Sequence, residues 1–465
     1  MRVALLADFG STFTKVIAVD LARAALVGQA QAPTTAGGEI LDGYEDAARA
    51  ALGEVRGPVR VVLERAGSSA GGGLRMVAVG LVPSLTAAAA RAAALNAGAR
   101  LAGVLAGGLT DADAAELERL DPEIVLFAGG TDGGQEQLVL RNAAVLAGAL
   151  RRAHVVVACN RDVAIRVRKI FEPAARSVTI AANVLPDVGA ADTGDARRAV
   201  SRVFIGEVIA GKKLSASGRF AALVAMATPD AVLRAAELLA ATRPDQAGDG
   251  VLVTDVGGAT TDVYSVLTRR PLSGFGTQDK GLPAGAALRT VEGDLGIRSN
   301  APGVLEADDR WLQSAAGGPP GGLADACARR AGRPGAIFAA GPERELDERL
   351  AVSCMFRALE RHCGSRGVRP GVAGRPVLVQ QGRNLSGCRT LIAGGGIVRA
   401  SAGARLARQA LDRLPEPVLA PRRCRVLVDR RYVLAAAGLL AQPHREIAES
   451  LLSRELLEEP AHEGQ

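Results

Sequence analysis

In the stretch LLADFGSTFTK, residues 5–15, an apolar run from Val3 to Ala7 meets Asp8, then Gly10, Ser11, Thr12 and Lys15, and resumes at Val16 to Val19. That is the pattern of a β-hairpin whose turn is rich in backbone N–H donors, hydroxyls and one cation. Glycine permits close approach of the backbone, so consecutive N–H groups can converge on an anion, and Thr12 and Lys15 add a donor and a charge. The same arrangement returns in VLVTDVGGATTDVYSVL, residues 251–267, where Val251–Thr254 reaches Asp255, passes Gly257, Gly258, Thr260 and Thr261, and becomes apolar again at Val263. Carboxylates at the two strand ends suit a hydrated Mg²⁺ bridging phosphate oxygens, because Mg²⁺ keeps most of its waters and takes one or two carboxylates. Asp8 or Asp255 could equally orient a water for in-line attack on a terminal phosphate. Facing one another across a cleft, two such hairpins would clamp a triphosphate tail. A single copy is also what a plain tight turn looks like, so the recurrence carries the reading. A third element, Gly394, Gly395 and Gly396 between a strand and a helix, fits either a nucleoside or its phosphates, or a plain strand-to-helix turn.

The elements that must position these turns follow from periodicity. At 465 residues the chain exceeds one core, and roughly 150 residues per domain leads us to expect about three units. Residues 1–60 read as strand, hairpin, strand and helix. From about 61 to 190 helices and strands alternate regularly, which argues for a parallel sheet with helices on its faces, a Rossmann-like insertion. Residues 191–250 have helical spacing throughout and are assigned with 1–60 to a first domain. Residues 251–445 form a second domain, loop-rich from 268 to about 320 and irregular from 364 to 388, and 446–465 is a charged tail.

Bulk composition narrows the function classes. A net charge of +7 admits a nucleic-acid partner, but the arginines are scattered in pairs and aromatics make up only 3% of the chain, so no stacking surface accompanies the charge. The six cysteines show no C-x-x-C spacing and read as reduced, buried thiols, an expectation of cytoplasmic location. No run of about 20 apolar residues is present, so a membrane-spanning helix is not expected.

Other candidates have a plain alternative beside them. The turn Gly129–Gly134 and the run Ser68–Gly73 could bind a phosphate, but glycine-rich strand-to-helix turns need no ligand. Glu292 and Asp294 could aid a metal or a water, or sit in a solvated loop. Lys212 and Lys213 could reach a phosphate, or be a surface charge pair.

The ordered set of two hairpins and a glycine turn resembles the ASKHA superfamily, which includes actin, Hsp70-type chaperones and sugar kinases. The resemblance implies an α/β fold of two ribonuclease-H-like domains around a cleft holding ATP and Mg²⁺, with residues 8–15 and 255–262 on phosphate and 393–396 on adenosine. Longer stretches narrow it further. SSAGGGLRMVAVGLVPSLTAAAARAAALNAGARL, LFAGGTDGG, VLVTDVGGATTDVYSV and RTVEGDLGIRS are similar to the accessory proteins of adenosylcobalamin-dependent glutamate mutase, the MutL or GlmL type, and to reactivating factors for ornithine aminomutase. AGSSAGGG departs from that pattern in lacking a cysteine at its start. The resemblance implies an ATPase that remodels a mutase partner, with Asp8 and Asp255 organising Mg²⁺ and the attacking water. It implies phosphate contacts from Gly10, Ser11, Thr12, Lys15, Gly257, Gly258, Thr260 and Thr261. A small-molecule kinase or a hydantoinase-like hydrolase on the same scaffold, and a scaffold that binds ATP but scarcely hydrolyses it, stay open.

Overall fold

The computed structural model describes residues 1–10, 12–35, 39–69, 75–188, 190–211, 215, 218–269, 277–280, 286–314, 321–370 and 376–457. Ser11, Lys212, Lys213, residues 70–73 of the first glycine run and residues 458–465 of the tail lie outside them. The chain divides into two compact units, residues 1–232 with 281–288, and residues 233–280 with 289–465.

Unit 1 carries two sheets. Strands β1 (Arg2–Phe9), β2 (Phe13–Asp20) and β3 (Ala25–Pro33) form an antiparallel meander, and β4 (Arg60–Ser68) lies parallel beside β1. β1 is buried on both faces, which is why its sequence is a continuous apolar run without alternation. The helix Ile40–Gly53 lays Ile40, Leu41, Tyr44, Ala47, Ala48 and Ala51 against this sheet.

The second sheet of unit 1 is built from β5 (Arg75–Gly80), β6 (Arg100–Ala106), β7 (Ile124–Phe127), β8 (His154–Val157) and β9 (Ser177–Ile180). They are all parallel, in the order β6-β5-β7-β8-β9, the doubly wound arrangement with its topological switch between β5 and β7. Alanines of the helix Ala88–Asn96 cover one face, and Val139, Ala143, Leu146, Val163 and Val167 of later helices cover the other.

The segment 195–242 is not helical throughout. Between the helices Gly218–Leu223 and Thr228–Thr242 a short strand, β10 (Val224–Ala227), lies parallel to β4 and completes the first sheet in the order β10-β4-β1-β2-β3. Four buried residues between two helical stretches have no period that separates strand from helix, and only the exposed hydrogen-bonding edge of β4 decides.

Unit 2 is built on β11 (Gly250–Val256), β12 (Thr261–Leu267), β14 (Ala287–Glu292), β17 (Thr390–Gly394) and β18 (Arg425–Val428), in the order β14-β12-β11-β17-β18, with β11 antiparallel to β12 and parallel to β17. A small sheet of β13 (Thr277–Lys280), β15 (Ser365–Pro370) and β16 (Pro376–Gln381) accompanies it. The stretches read as loop-rich and irregular therefore contain these strands and the helix Ala301–Gln313. The tail begins as the helix Arg445–Leu452, with Leu451 and Leu452 buried.

The main sheets of the two units share one plan. Numbered from the strand that begins each, both run 3-2-1-4-5, with strand 2 returning antiparallel from strand 1, and both are ribonuclease-H-like; the insertion is Rossmann-like. Among the described residues no helix is long and apolar enough to cross a membrane.

Candidate functional site

Each hairpin sits on the central strand of its sheet, and the two share their strand register and the hydrogen bond that closes the turn. Gly10 N donates to the carbonyl of Phe13 (3.1 Å), and Gly257 N to that of Thr260 (2.9 Å). A Cβ on Gly10 would stand 2.7 Å from Phe13 O, and one on Gly257 2.9 Å from Thr260 O, so both turns require glycine. The correspondence pairs Asp8 with Asp255, Thr12 with Ala259, Phe13 with Thr260, Thr14 with Thr261 and Lys15 with Asp262. Thr12 and Thr260, both expected on phosphate, thus occupy positions one residue apart in the two turns.

Thr14 and Thr261 are both fully buried, and their hydroxyls are used internally: Thr14 Oγ1 lies 3.0 Å from Thr34 Oγ1, and Thr261 Oγ1 donates to Leu295 O at 2.8 Å. These threonines hold each turn to the segment packed behind it.

The parallel neighbour strand meets each aspartate with a glycine. Asp8 registers with Gly67 of β4, and Asp255 with Gly394 of β17. Residues in register on adjacent strands share a face, so each carboxylate projects over a position without a side chain. A Cβ on Gly394 would lie 3.4 Å from Asp255 Oδ1. Gly395 has φ +108°, and a Cβ there would reach 2.2 Å from Val256 O. The structure thus brings the third glycine element against hairpin two, with Gly394 ending β17 and Gly396 beginning the short helix Gly396–Ala400.

The charges around the two aspartates differ. Asp8 Oδ2 pairs with Lys15 Nζ at 3.3 Å, its register partner across β2, and Asp8 Oδ1 accepts from Thr228 Oγ1 at 2.6 Å. In hairpin two the register partner of Asp255 is Asp262, which Arg289 holds through Nε at 2.7 Å and Nη2 at 2.6 Å. Burial pulls the Arg289 pKa down, and the charges of Asp262 and Tyr264 outweigh it, leaving the guanidinium raised and firmly charged. Two carboxylates directly opposite on one face repel. Asp262 is already neutralised by Arg289, and the carboxylate at each strand end, beside a glycine position, is the hard-oxygen kind of ligand that Mg²⁺ takes.

Thr228 opens the helix Thr228–Thr242 directly after β10, and the pairing of β10 with β4 is what brings it to Asp8. Glu292 and Asp294 are both engaged by Arg361, at 2.7 and 2.8 Å. This hydrogen bonding holds Asp294 below the usual carboxylate range. The turn Gly129–Gly134 is tied by Asn183 Nδ2 to Gly130 O (3.0 Å) and Asp132 Oδ1 (2.8 Å), and by Asp162 to Gly133 N (2.9 Å).

A family model described as MutL protein matches residues 4–456. Protein MutL of Clostridium tetanomorphum is 35% identical, over 98% of this chain and 100% of that one. Among solved structures, nucleotide-free acetone carboxylase aligns at TM-score 0.40 and 14% identity, over 94% of this chain and 70% of its own. A glycerol dehydratase reactivase aligns at 0.35 and 11%, over 96% and 100%. The activator of 2-hydroxyisocaproyl-CoA dehydratase from Clostridium difficile, with bound ADPNP, aligns at 0.31 and 9%, over 96% of both. At these TM-scores the fold assignment rests on the strand order and register above.

Proposed function

The chain belongs to the MutL protein family, and on that premise we propose that it binds ATP with Mg²⁺ and hydrolyses it as the accessory, reactivating protein of an adenosylcobalamin-dependent mutase of the glutamate mutase or ornithine aminomutase type. One observation carries the nucleotide part: a glycine-turned hairpin with an aspartate at the strand end recurs on the central strand of two sheets of equal order, each time opposite a glycine. A plain turn needs neither the repetition nor the empty position beside the carboxylate.

In this reading Ser11, Thr12 and Lys15 of the first turn and Gly258 and Thr260 of the second hold phosphate oxygens, while Gly10 and Gly257 close the turns through their own N–H groups. Thr14 and Thr261 act behind them, fixing each turn, and Gly394–Gly396 accepts the nucleoside end. Asp8 and Asp255 are the metal carboxylates. Asp8, held by Thr228, orients water. Bound Mg²⁺ would supply charge neutralisation at the phosphates. The insertion is the element through which the nucleotide cycle acts on the partner.

The test is ATP turnover by the purified full chain, alone and with the mutase, together with nucleotide-dependent co-purification. Turnover stimulated by inactivated mutase is expected. Turnover indifferent to mutase but stimulated by a sugar or a hydantoin would replace this reading with a kinase or a hydrolase. Tight ATP binding without turnover would make the protein a nucleotide-dependent scaffold.

A further inference from the structure

Behind hairpin two lies a segment whose contacts have a directional consequence. Three consecutive carbonyls of the turn are each taken by it: Gly257 O by Ile297 N (3.2 Å), Gly258 O by Arg298 N (2.8 Å) and Ala259 O by Asn300 Nδ2 (2.5 Å). In a planar trans peptide the N–H of the following residue points opposite to the carbonyl. The N–H groups of Gly258, Ala259 and Thr260 are therefore all directed away from residues 295–300. A row of successive N–H groups aimed one way is an anion site.

The segment is itself rigidly held. A Cβ on Gly296 would stand 2.3 Å from the Ala259 carbonyl carbon, so the two backbones are in direct apposition. Arg298 makes a bidentate pair with Asp347, at 2.8 and 2.7 Å, and Asp347 also accepts from the buried Arg330 at 2.9 Å. Asn300 is the informative residue. It occupies the N-cap of the helix Ala301–Gln313, where asparagine ordinarily accepts from the first turn, yet its side chain makes no cap bond there. Its amide instead donates forward to Ala259 O and to Gly293 O (2.7 Å). A helix cap has been given over to the turn.

We propose that Leu295–Asn300 is the clamp that aims the N–H groups of Gly258, Ala259 and Thr260 at the terminal phosphates of a nucleoside triphosphate, with Asn300 its positioning residue. The proposal rests on the nucleotide reading above and adds Ala259, whose side chain has no chemistry, through its N–H alone.

Asn300→Ser separates the two roles, because serine caps the helix but cannot span to the turn. Binding of Mg-ATP, adenosine and inorganic tripolyphosphate to the full-length protein is measured by calorimetry, beside the thermal midpoint. The expected result is about a tenfold loss for ATP and tripolyphosphate, the scale of one hydrogen bond to a charged ligand, with adenosine affinity and thermal midpoint unchanged. Unchanged ATP affinity in the variant would overturn the clamp. An equal loss for adenosine, or a lowered thermal midpoint, would reduce Asn300 to a structural residue and also overturn it. Wild-type protein that takes tripolyphosphate but not ATP would leave the clamp standing and remove the nucleotide, whereas wild type that takes neither would remove both.

Discussion

Hairpins one and two are the same backbone with opposite charge logic. Both turn on a glycine pressed against the carbonyl three residues on, and both have the carbonyls at their tips collared from behind. Around the first, among the described residues, Thr34 does the collaring: it donates through Oγ1 to Gly10 O (2.9 Å) and through N to Thr12 O (2.9 Å). Around the second, a six-residue segment with a buried Arg–Asp–Arg network does it. The first carboxylate has a lysine across the strand, and the second has another aspartate. The backbone geometry is shared, and the side chains around it are what differ; in the function proposed above that shared geometry is what both hairpins offer to phosphate.

The sharpest way to test that function is to remove each carboxylate. Asp255→Ala is expected to lower ATP turnover at least about a hundredfold, the scale seen when a charge stabiliser leaves a reacting centre, with folding intact by circular dichroism. Asp8→Ala should also abolish turnover, and the double variant should lose no more than the worse single one, since residues acting as a unit are non-additive. Full turnover in both single variants would refute the site.

Breaking the collared backbone should cost stability instead. Gly395→Val adds strain at φ +108° and a clash with Val256 O, so we expect a loss of about 3 kcal/mol or more, read from Trp311 fluorescence in denaturant. Gly67→Ala, whose Cβ would stand 3.2 Å from Thr228 Oγ1 and 3.3 Å from its Cα with no positive φ to strain, should cost less.

The charge contrast can be tested in stability terms too. Asp262→Asn leaves Arg289 buried with its carboxylate partner gone and should destabilise by about 3 kcal/mol. Lys15→Met should cost under about 1 kcal/mol, because the Lys15–Asp8 pair is partly solvated and surface pairs contribute little. Equal losses would mean that the two hairpins do not differ electrostatically in the way described.

Unit 2 also carries a pH dependence. His362 is buried between Ser265 Oγ (2.7 Å) and Thr290 Oγ1 (2.8 Å), and burial, with Arg383 nearby, lowers its pKa from 6.5 to about 3. The unfolded chain binds this proton first, so the stabilisation is complete above pH 6.5 and is lost as pH falls toward 3. The slope for this group is at most about 1.4 kcal/mol per pH unit. His362→Gln should flatten the Trp311-detected stability curve between pH 6.5 and 4 relative to wild type.

What could be read directly along the chain was local. Each hairpin folds from some eight consecutive residues, and the apolar-to-aspartate transition with its spaced glycines is a short-range signal of close approach. The alternation from β5 to β9 was equally legible, since parallel strands buried on both faces announce themselves as apolar runs between helices.

Long-range partners were not. Thr228 reaches Asp8 across 220 positions, and no period in VAMATPD distinguishes strand from helix until β4 offers its edge. β15 and β16 were obscured because most of their residues are exposed and lack alternation. Asn300 looked like loop, since its side chain answers to a backbone carbonyl 41 positions away. The sequence alone established that two aspartate-bearing glycine turns exist and which residue types they hold. Their collars, the glycines opposite their carboxylates, and the charges assigned to each were settled only by tertiary structure. Hydrogen-bond direction and register depend on which strands become neighbours, and that is decided by packing between segments that chain order keeps far apart.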